Sequence, residues 1–494
     1  MTTVVINTQI GVSREISRIW LEGQKLASAG IKIGVRYMMN VQKALNRVEL
    51  RPAPNDYQGK TFTVSKREKN NTISPLIEVR TEILETLFQI GTKIRVAIRE
   101  GRIIVTESHI ATKVSERVKR FMEKLKDKTP LAVTSLFHGG GVLDKAIHSG
   151  MHKAGVNSFV QVGVELEGEY IDASLRNNPE LWTEESIVIN SDIREINLTG
   201  NIPQCDFLIA GIPCTGASKA GRSKNKLSCA EEHSAAGSMF VDFLDWVKAS
   251  NPGVVLIENV GEYATTSSMM VIRSVLTSLG YQLSETVLDG NDYGALEKRK
   301  RLCVVATTPG ICDQLDFSKL VSMRNKESTL REILEDIPLD SDRWKSYDYL
   351  AAKEERDLAA GKGFARQLLT GDESYCGTIG KDYMKGRSTE PFIVHPADSA
   401  LSRLFTKLEH ARVKTIPESV VDGVSETVAH QILGQSVVFS VFEAVGYLIG
   451  LTVQGLTTAV NTIVDEAVSL AMGGTGSVRQ HDTEPATLSM LLAG

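Results

Sequence analysis

Short apolar runs alternate with amphipathic stretches along residues 131–308. The runs are rich in Val, Ile and Leu: LAVTSLF at 131–137, QVGVE at 161–165, SIVIN at 186–190, FLIA at 207–210, VVLIENV at 254–260 and RLCVVATT at 301–308. Strands of this kind, separated by helical patterns, are typical of a parallel α/β sheet. We therefore predict an α/β core in this part of the chain.

Residues 1–110 contain a faint internal repeat. Two segment pairs align, the second after a two-residue gap: AGIKIGVRY (29–37) with TLFQIGTKI (86–94), and ALNRVELRP (44–52) with REGRIIVTE (99–107). Each copy predicts a helix, an Ile-Gly turn, a strand, a tight turn and a second strand. The repeat resembles the SymE/AbrB-like swapped-hairpin β-barrels, many of which bind DNA, and two unrelated hairpins are the alternative.

The rest of the chain divides by composition. Residues 111–130 read as a charged linker helix, residues 309–400 are turn-rich, and residues 401–455 include the most apolar segment, at 437–453. That segment has nearly the length of a membrane span, but Glu443 near its middle favours a buried helix. The tail, 456–494, is expected to be partly disordered because it ends in a polar stretch.

The 494 residues are too many for one hydrophobic core, and 23% charged residues are ordinary for a globular protein. Six cysteines without a CxxC pair predict neither a disulfide framework nor a metal site, and indicate a reducing compartment. Residues 1–130 hold 24 Lys+Arg and 13 Asp+Glu, against 32 and 47 in the remainder. A basic arm on an acidic body suggests contact with nucleic acid, and a solvated surface is the alternative.

Polar residues that follow the first three predicted strands are those of an adenosyl pocket. A glycine cluster, Gly139 to Gly141, follows the first strand and lets backbone approach a ligand closely. Glu165 ends the second strand, where an acidic residue typically binds ribose hydroxyls. Asp192 follows the third and can accept a hydrogen bond from an adenine amino group, although a helix cap is its alternative role. Because the loop lacks the GxGxxG pattern, a nicotinamide enzyme is disfavoured.

The next strands place a thiol, a carboxylate and a guanidinium at one sheet edge. The fourth strand ends in Gly-Ile-Pro-Cys at Cys214, the fifth carries Glu258, and a basic segment with Arg301 opens the last. Ligands of open α/β sheets bind at this edge. A buried, inert thiol is the alternative for Cys214.

Six ordered motifs over residues 131–450 resemble those of the DNA cytosine-5 methyltransferases. They are SLFHGGG, GIPCTGASKAG, IENV, DYGALEKRKR, RLFTKLEHARVKTIPE and ILGQSVVFSVFEAVGYLIG. The resemblance implies a Rossmann-like S-adenosylmethionine-dependent methyltransferase sheet with an inserted small target-recognition domain at 309–400. Together with the N-terminal mainly-β domain, this is the predicted fold class: α/β.

The resemblance also assigns roles. Cys214 is the expected nucleophile, Glu258 the group that holds the ring's N3 and amino group, and Arg301 the partner of the ring's O2. The methyl donor is S-adenosyl-L-methionine, and the target cytosine must be flipped out of duplex DNA. The implied cofactor residues are Phe137, Gly139, Gly141, Glu165, Asp192, Ile193, Pro213 and Gln435. Ser218 is implied to contact the DNA substrate, and Arg299 either to contact its phosphates or to have a structural role.

Four positions depart from the family pattern: Ser135 replaces Asp, Val142 replaces Gly, Glu297 replaces Gln, and Gln435 replaces Asn. None removes the predicted catalytic residues, so we predict an active enzyme. Within the target-recognition region, basic and aromatic residues are expected to contact DNA: Lys381, Tyr383, Lys385 and Arg387.

Double-stranded DNA is thus the expected partner, with no membrane and no metal. We expect a cytoplasmic monomer encoded by a bacterium, phage or plasmid, associated with the nucleoid, with any cognate restriction enzyme encoded separately. Two other functions stay open: a DNA-binding regulator with weak or no methyltransferase activity, and an RNA cytosine-5 methyltransferase.

Overall fold

The computed structural model describes residues 3–213, 231, 237–312, 314–362 and 365–471. The described residues form two compact units that divide between residues 116 and 117. The predicted helix at 111–130 lies at this division: α2 runs from His109 to Lys126, so it begins in one unit and ends in the other.

The first unit is built from ten strands and one short helix, α1 (Gln24–Ser28). The strands are β1 (Val4–Gln9), β2 (Gly11–Ser13), β3 (Ile16–Glu22), β4 (Arg36–Gln42), β5 (Arg47–Pro52), β6 (Thr61–Thr63), β7 (Ser65–Lys69), β8 (Thr72–Arg80), β9 (Lys93–Arg99) and β10 (Arg102–Glu107). One antiparallel sheet has the order β1-β9-β10-β5-β4-β6 and the other β2-β3-β8-β7. Their apolar faces enclose a shared core.

The internal repeat corresponds to a two-fold pseudosymmetry in strand pairing. On the β3–β8 ladder, Ile19 pairs with Val79 and Glu22 with Leu76. The repeat aligns the first Ile-Gly turn with the second. The same alignment carries Ile19 onto Leu76 and Glu22 onto Val79, so it exchanges the two pairs. The gapped shift that aligns β5 with β10 likewise exchanges Leu50–Ile103 with Val48–Val105. The repeated sequence therefore folds into two equivalent β-hairpin units.

The second unit centres on a seven-stranded sheet of order β13-β12-β11-β14-β15-β17-β16. The strands are β11 (Leu131–Leu136), β12 (Ser158–Glu165), β13 (Ile187–Asn190), β14 (Phe207–Gly211), β15 (Val254–Val260), β16 (Gln282–Asp289) and β17 (Lys300–Thr307). The predicted all-parallel pairing is wrong for β17, which runs antiparallel to both neighbours. This reversal brings the beginning of β17 to the edge where β14 and β15 end.

Helices cover both faces of this sheet. They are α3 (Val142–Lys153), α4 (Gly168–Asn177), α5 (Met239–Ser250), α6 (Ser267–Ser278), α8 (Lys407–Val413), α9 (Glu426–Gln435) and α10 (Phe439–Ala471), while α7 (Asp348–Ala359) belongs to the 309–400 region. Glycines let α3 and α10 cross closely: a Cβ on Gly150 would lie 2.1 Å from the Glu443 carbonyl oxygen, and one on Gly446 would lie 2.4 Å from that of Ile147.

Region 309–400 is more structured than its turn-rich sequence predicts. It contains α7 and the strands β18 (Gln367–Leu369) and β19 (Pro391–Val394), and β19 pairs with both β18 and β20 (Ser402–Arg403). Arg403, the last residue of β20, forms a bidentate ion pair with Glu409 at 2.6 and 2.8 Å, and Thr406 caps α8 through the same glutamate. The motif at 403–412 is thus a buried structural support.

The apolar segment 437–453 forms the first half of α10 and packs on α3. Glu443, the residue that favoured a buried helix over a membrane span, accepts hydrogen bonds from Ser149 Oγ at 2.6 Å and Lys153 Nζ at 2.7 Å. Among the described residues, no single helix is long and apolar enough to cross a membrane. The pair formed by α9 and residues 439–455 has the length and composition of a membrane span, but it is bent by 48°.

Candidate active site

A left-handed glycine turn links β11 to α3 at the carboxyl edge of the sheet. Phe137, Gly139 and Gly141 have φ angles of 58°, 60° and 77°, so three of five consecutive residues lie in the left-handed region that favours glycine. The Gly139 N–H donates to Glu165 Oε2 at 2.6 Å, and the Glu167 N–H donates to the other oxygen at 3.0 Å. Since each carboxylate oxygen accepts two hydrogen bonds, Glu165 retains capacity for a ribose hydroxyl. The loop and this glutamate fit the adenosyl part of S-adenosylmethionine.

Two other predicted cofactor residues differ in their surroundings. Ile193 is buried against the sheet, next to the half-buried Phe137. Asp192 caps the short turn that follows β13 and forms a bidentate pair with Arg194 at 3.0 and 2.6 Å. These bonds lower the pKa of Asp192 to about 2, so its carboxylate stays charged and already has a partner. The structure thus shows the cap that was the alternative role of Asp192, and its adenine contact stays a prediction.

A buried polar network beneath the glycine loop escaped the sequence reasoning. Ser135 Oγ donates to Asp144 Oδ2 at 2.8 Å and lies 2.9 Å from His138 Nδ1. His138 Nε2 lies 2.8 Å from Ser174 Oγ on α4. At Ser135, where the family usually has Asp, Asp144 on α3 supplies a carboxylate instead. A signal was available, because Asp144 and His148 are four residues apart and share the buried side of the amphipathic helix α3.

The Pro-Cys loop begins at the end of β14, next to Glu258. Gly211 pairs with Glu258 across β14 and β15, and Asn259 Nδ2 donates to the Ile212 carbonyl at 3.1 Å. Asn259 therefore anchors the start of the loop, a role that the sequence reasoning did not assign. Pro213 is half-buried, and the predicted residues Cys214 and Ser218 lie outside the described residues.

Glu258 and Arg301 meet at this sheet edge. Arg301 Nε lies 2.9 Å from Glu258 Oε1, and each side chain is about one-eighth exposed, with values of 14% and 13%. The antiparallel register explains the pairing: Arg301 lies opposite Val260, so it shares a face with Glu258. Burial raises the pKa of Glu258, and Arg301 opposes that rise. A raised pKa increases the fraction of carboxylic acid, which can donate a hydrogen bond.

Of the two roles predicted for Arg299, the structure shows the structural one. It is buried and donates to the carbonyl oxygens of Ile379 at 3.3 Å and Gly434 at 3.1 Å. Glu297 Oε1 accepts the Ile379 N–H at 2.7 Å, and Glu297 Oε2 lies 3.2 Å from Lys414 Nζ. The Glu297 departure from the family pattern is thus neutralised by a buried lysine, and the group fastens the 309–400 region to the sheet.

Among the predicted DNA-contacting residues, Tyr383 is misassigned. Its ring is fully buried, and its hydroxyl donates to the Pro391 carbonyl at 2.7 Å while accepting the Phe405 N–H at 2.9 Å. Lys381, Lys385 and Arg387 are exposed, as a DNA contact requires.

These three cations are nevertheless engaged within the protein. Lys381 lies 5.0 Å from the centre of the Tyr170 ring, while Lys385 and Arg387 both pair with Asp382. A salt bridge at an exposed site contributes little stability, so these side chains can exchange partners for phosphate.

Gln435 ends α9 beside the glycine loop. It is exposed, and its Nε2 atom would lie 3.5 Å from a Cβ placed on Gly139. Ile432, one turn earlier, closes on Gly140 so tightly that an added Cβ would lie 2.4 Å from its Cγ2 atom. The last motif therefore reaches the predicted cofactor loop.

The described residues contain no group of three or more side chains that could bind a metal ion.

Comparison with known proteins places this site in a family. The family of C-5 cytosine-specific DNA methylases matches residues 131–450. The chain is 30% identical over 253 residues to the type II methyltransferase M.NlaX of Neisseria lactamica, covering 50% of this chain and 76% of that protein. It is 26% identical to M1.ScrFI of Lactococcus lactis subsp. cremoris, covering 52% and 64%.

Solved structures agree in fold. The Dnmt2 methyltransferase of S. pombe superposes with a TM-score of 0.52 at 19% identity, covering 66% of this chain and 99% of that one. The EhMeth methyltransferase of Entamoeba histolytica gives 0.50 at 18% identity, covering 65% and 98%. With its glycine loop, its Glu258–Arg301 pair and its matching motifs, the chain belongs to the C-5 cytosine-specific DNA methylase family, whose methyl donor is S-adenosylmethionine.

Proposed function

We propose that this chain methylates carbon 5 of a cytosine flipped out of duplex DNA, with Cys214 as the attacking nucleophile. The observation that carries the proposal is the Glu258–Arg301 pair, 2.9 Å apart, on the strand edge next to Pro213. An acid and a cation beside a nucleophile are what addition to a pyrimidine ring requires. Without polarisation of the ring, carbon 5 of cytosine is a poor nucleophile.

The side chains divide the reaction between them. Glu258, whose pKa is raised by burial, is the acid that hydrogen-bonds the ring's N3 as the Cys214 thiolate bonds to carbon 6. Arg301 orients Glu258 and holds the ring's O2, where negative charge develops. S-adenosylmethionine, when bound, supplies an electrophilic methyl group. Loss of the carbon-5 proton then re-forms the double bond and expels the Cys214 thiolate.

Two regions are assigned to DNA recognition. The exposed residues Lys381, Lys385 and Arg387 are proposed to read the target in the 309–400 region, together with the backbone that Glu297 and Arg299 fasten. The basic N-terminal domain, residues 1–110, is proposed to add non-target DNA affinity.

We also propose a monomer in the bacterial cytoplasm, with any cognate restriction enzyme on a separate chain. Exchange of 375–396 for a relative's segment should change the methylated sequence.

The decisive experiment is bisulfite sequencing of DNA from a methylation-free bacterial host that expresses the chain. We expect a defined methylated motif, lost in Cys214→Ala and strongly reduced in Glu258→Gln. Glu285→Gln is the matched control, since Glu285 also pairs with an arginine, at 2.7 Å, but is exposed on β16. Methylation that persists in Cys214→Ala would refute the proposed nucleophile.

The same cultures test the two open alternatives. Bisulfite sequencing of their RNA would favour an RNA methyltransferase if specific cytosines resisted conversion in RNA and none did in DNA. Absence of methylation from both, with retained DNA binding by the purified chain, would favour a DNA-binding regulator.

A further inference from the structure

One face of the six-stranded sheet in the first unit is strongly basic. Its opposite face is the core, formed by Val48, Leu50, Val96 and Ile98 among others. Because side chains alternate along a strand, the residues between these core positions point outward. Along β5, β9 and β10 those outward residues include six cations and one carboxylate, Glu49: the cations are Arg47, Arg51, Lys93, Arg95, Arg99 and Arg102. We call this surface the basic face.

The strand register arranges its arginines in two rows. In the first row, Arg95 lies opposite Thr106, and Thr106 opposite Arg47. In the second row, Arg99 lies opposite Arg102. Arg51 belongs to the same row, because it follows Leu50, which pairs with Ile103, the neighbour of Arg102. The row between them carries Ala97, Ile104 and Glu49. The basic face is therefore two cationic stripes, and the row between them carries a single carboxylate, Glu49.

Glu49 organises the stripes rather than neutralising them. It is 1% exposed and accepts hydrogen bonds from Arg51 and Arg102, while Arg47 lies 3.8 Å away. The two hydrogen bonds lower its pKa to about 2. One buried carboxylate thus holds three guanidinium groups near the sheet, and the arginines still outnumber it.

The second sheet of the same unit is closer to neutral. Its strands β3, β7 and β8 carry five cations and three glutamates, and two of the arginines are paired: Arg18 with Glu78 at 3.5 Å, and Arg67 with Glu22 at 3.3 Å. The excess positive charge of residues 1–116 is therefore concentrated on the basic face. A ligand that requires many cations on one surface is a polyanion.

The spacing of the stripes favours duplex DNA as that polyanion. The stripes are four residues apart along each strand, which corresponds to about 14 Å at 3.4 Å per residue. The major groove of B-DNA is about 12 Å wide, so two stripes at this distance match the backbones on its two sides. The pseudosymmetry, which relates Arg47 to Arg102, also matches the local two-fold symmetry of a duplex.

We propose that the basic face binds the two phosphate backbones of duplex DNA across one groove, without reading sequence. The proposal deepens the proposed function, since it rests on DNA being the substrate and assigns the N-terminal contact to one surface. Contacts to phosphate carry no sequence information and release counterions, so this binding should depend steeply on salt. Its contribution is to hold the enzyme on DNA between target sites.

The test is fluorescence anisotropy of the full chain with a 24-base-pair duplex of A·T pairs only, which contains no target cytosine. Arg95→Gln/Arg99→Gln removes one cation from each stripe, since both side chains are exposed on β9. The matched control is Lys66→Gln/Lys69→Gln, the same loss of charge at exposed positions on β7.

We expect the slope of log affinity against log salt to fall by about 2 in magnitude for the basic-face variant, since each phosphate contact contributes about 0.9. Affinity at low salt should fall at least tenfold, and the control should match the unaltered chain. An unchanged slope in the basic-face variant, or an equal loss in the control, would overturn the proposal. Tighter binding to an RNA duplex than to DNA would overturn its choice of ligand.

Bisulfite sequencing separates this proposal from the proposed function. Genomic methylation with an unchanged salt slope would refute the basic face alone. A changed slope in a chain that methylates nothing would leave the basic face standing and refute the enzymatic proposal. Equal melting temperatures of the two double variants would exclude unfolding as the cause.

Discussion

The crossing of α3 and α10 predicts a large effect from one added methyl group. In Gly150→Ala, the new Cβ would lie 2.1 Å from the Glu443 carbonyl oxygen, 2.5 Å from the Tyr447 nitrogen and 2.9 Å from the Gly446 carbonyl carbon. All three are backbone atoms, so no side chain can rotate away and the two helices must separate. Overpacking of this kind costs about 1–3 kcal/mol.

Alanine also favours a helix over glycine by about 1 kcal/mol, which offsets part of that cost. Because all three clashes are with backbone, we take the upper end of the overpacking cost, about 3 kcal/mol, so the free energy of unfolding should fall by about 2 kcal/mol and the melting temperature by about 2–4 °C in a unit of this size. Since α3 begins at the glycine loop, affinity for S-adenosylmethionine should fall as well. Differential scanning fluorimetry and isothermal titration calorimetry measure the two effects.

Gly455→Ala is the matched control, because it makes the same change in α10 where nothing lies within 4 Å of the added Cβ. It should melt at the temperature of the unaltered chain or slightly above, because alanine is the better helix former. A Gly150→Ala chain that melted no lower than this control would show that the helices are not in the close contact described.

Three further predictions concern buried carboxylates. Asp144→Ala should weaken S-adenosylmethionine binding severalfold in calorimetry, because it removes the acceptor that helps to hold His138 beneath the glycine loop. Glu297→Ala should lower the free energy of unfolding by about 1–3 kcal/mol in denaturant titration, because the buried Ile379 N–H loses its acceptor and Lys414, whose pKa burial lowers to about 7, loses its carboxylate partner, whereas Glu297→Gln keeps an acceptor and should cost less. Glu49 has a pKa of about 2 against an ordinary 4.5, so its stabilisation is present above pH 4.5 and is lost as the pH falls towards 2. In Glu49→Gln the melting temperature should be lower at pH 7, and its difference from the unaltered chain should shrink over that acidic window.

Much of the fold follows from local patterns. The apolar runs placed strands at 131–136, 207–211 and 254–260, and the repeat placed matching hairpins in the first unit. Local periodicity is enough to predict these strands, because a strand buried on one face shows alternating apolar residues and a strand buried on both faces shows a continuous apolar run. Family motifs likewise led to Glu258 and Arg301, which the structure brings to within 2.9 Å.

Long-range pairing decided the rest. The antiparallel pairing of β17 with β15 joins residues more than 40 positions apart along the chain, and no local period encodes strand direction. Tyr383 lies in a segment rich in cations, so its composition suggested a surface, yet the fold closes Pro391 and Phe405 over its hydroxyl.

The sequence by itself therefore determined the order of the elements, the family and the chemical groups that the site contains. Only the tertiary structure decided which of those groups face the site. Arg299 and Arg301 are two residues apart, yet one donates to buried carbonyl oxygens and the other pairs with Glu258. The physical reason is that a buried polar group must find a partner, and the partners come from segments that only folding brings together.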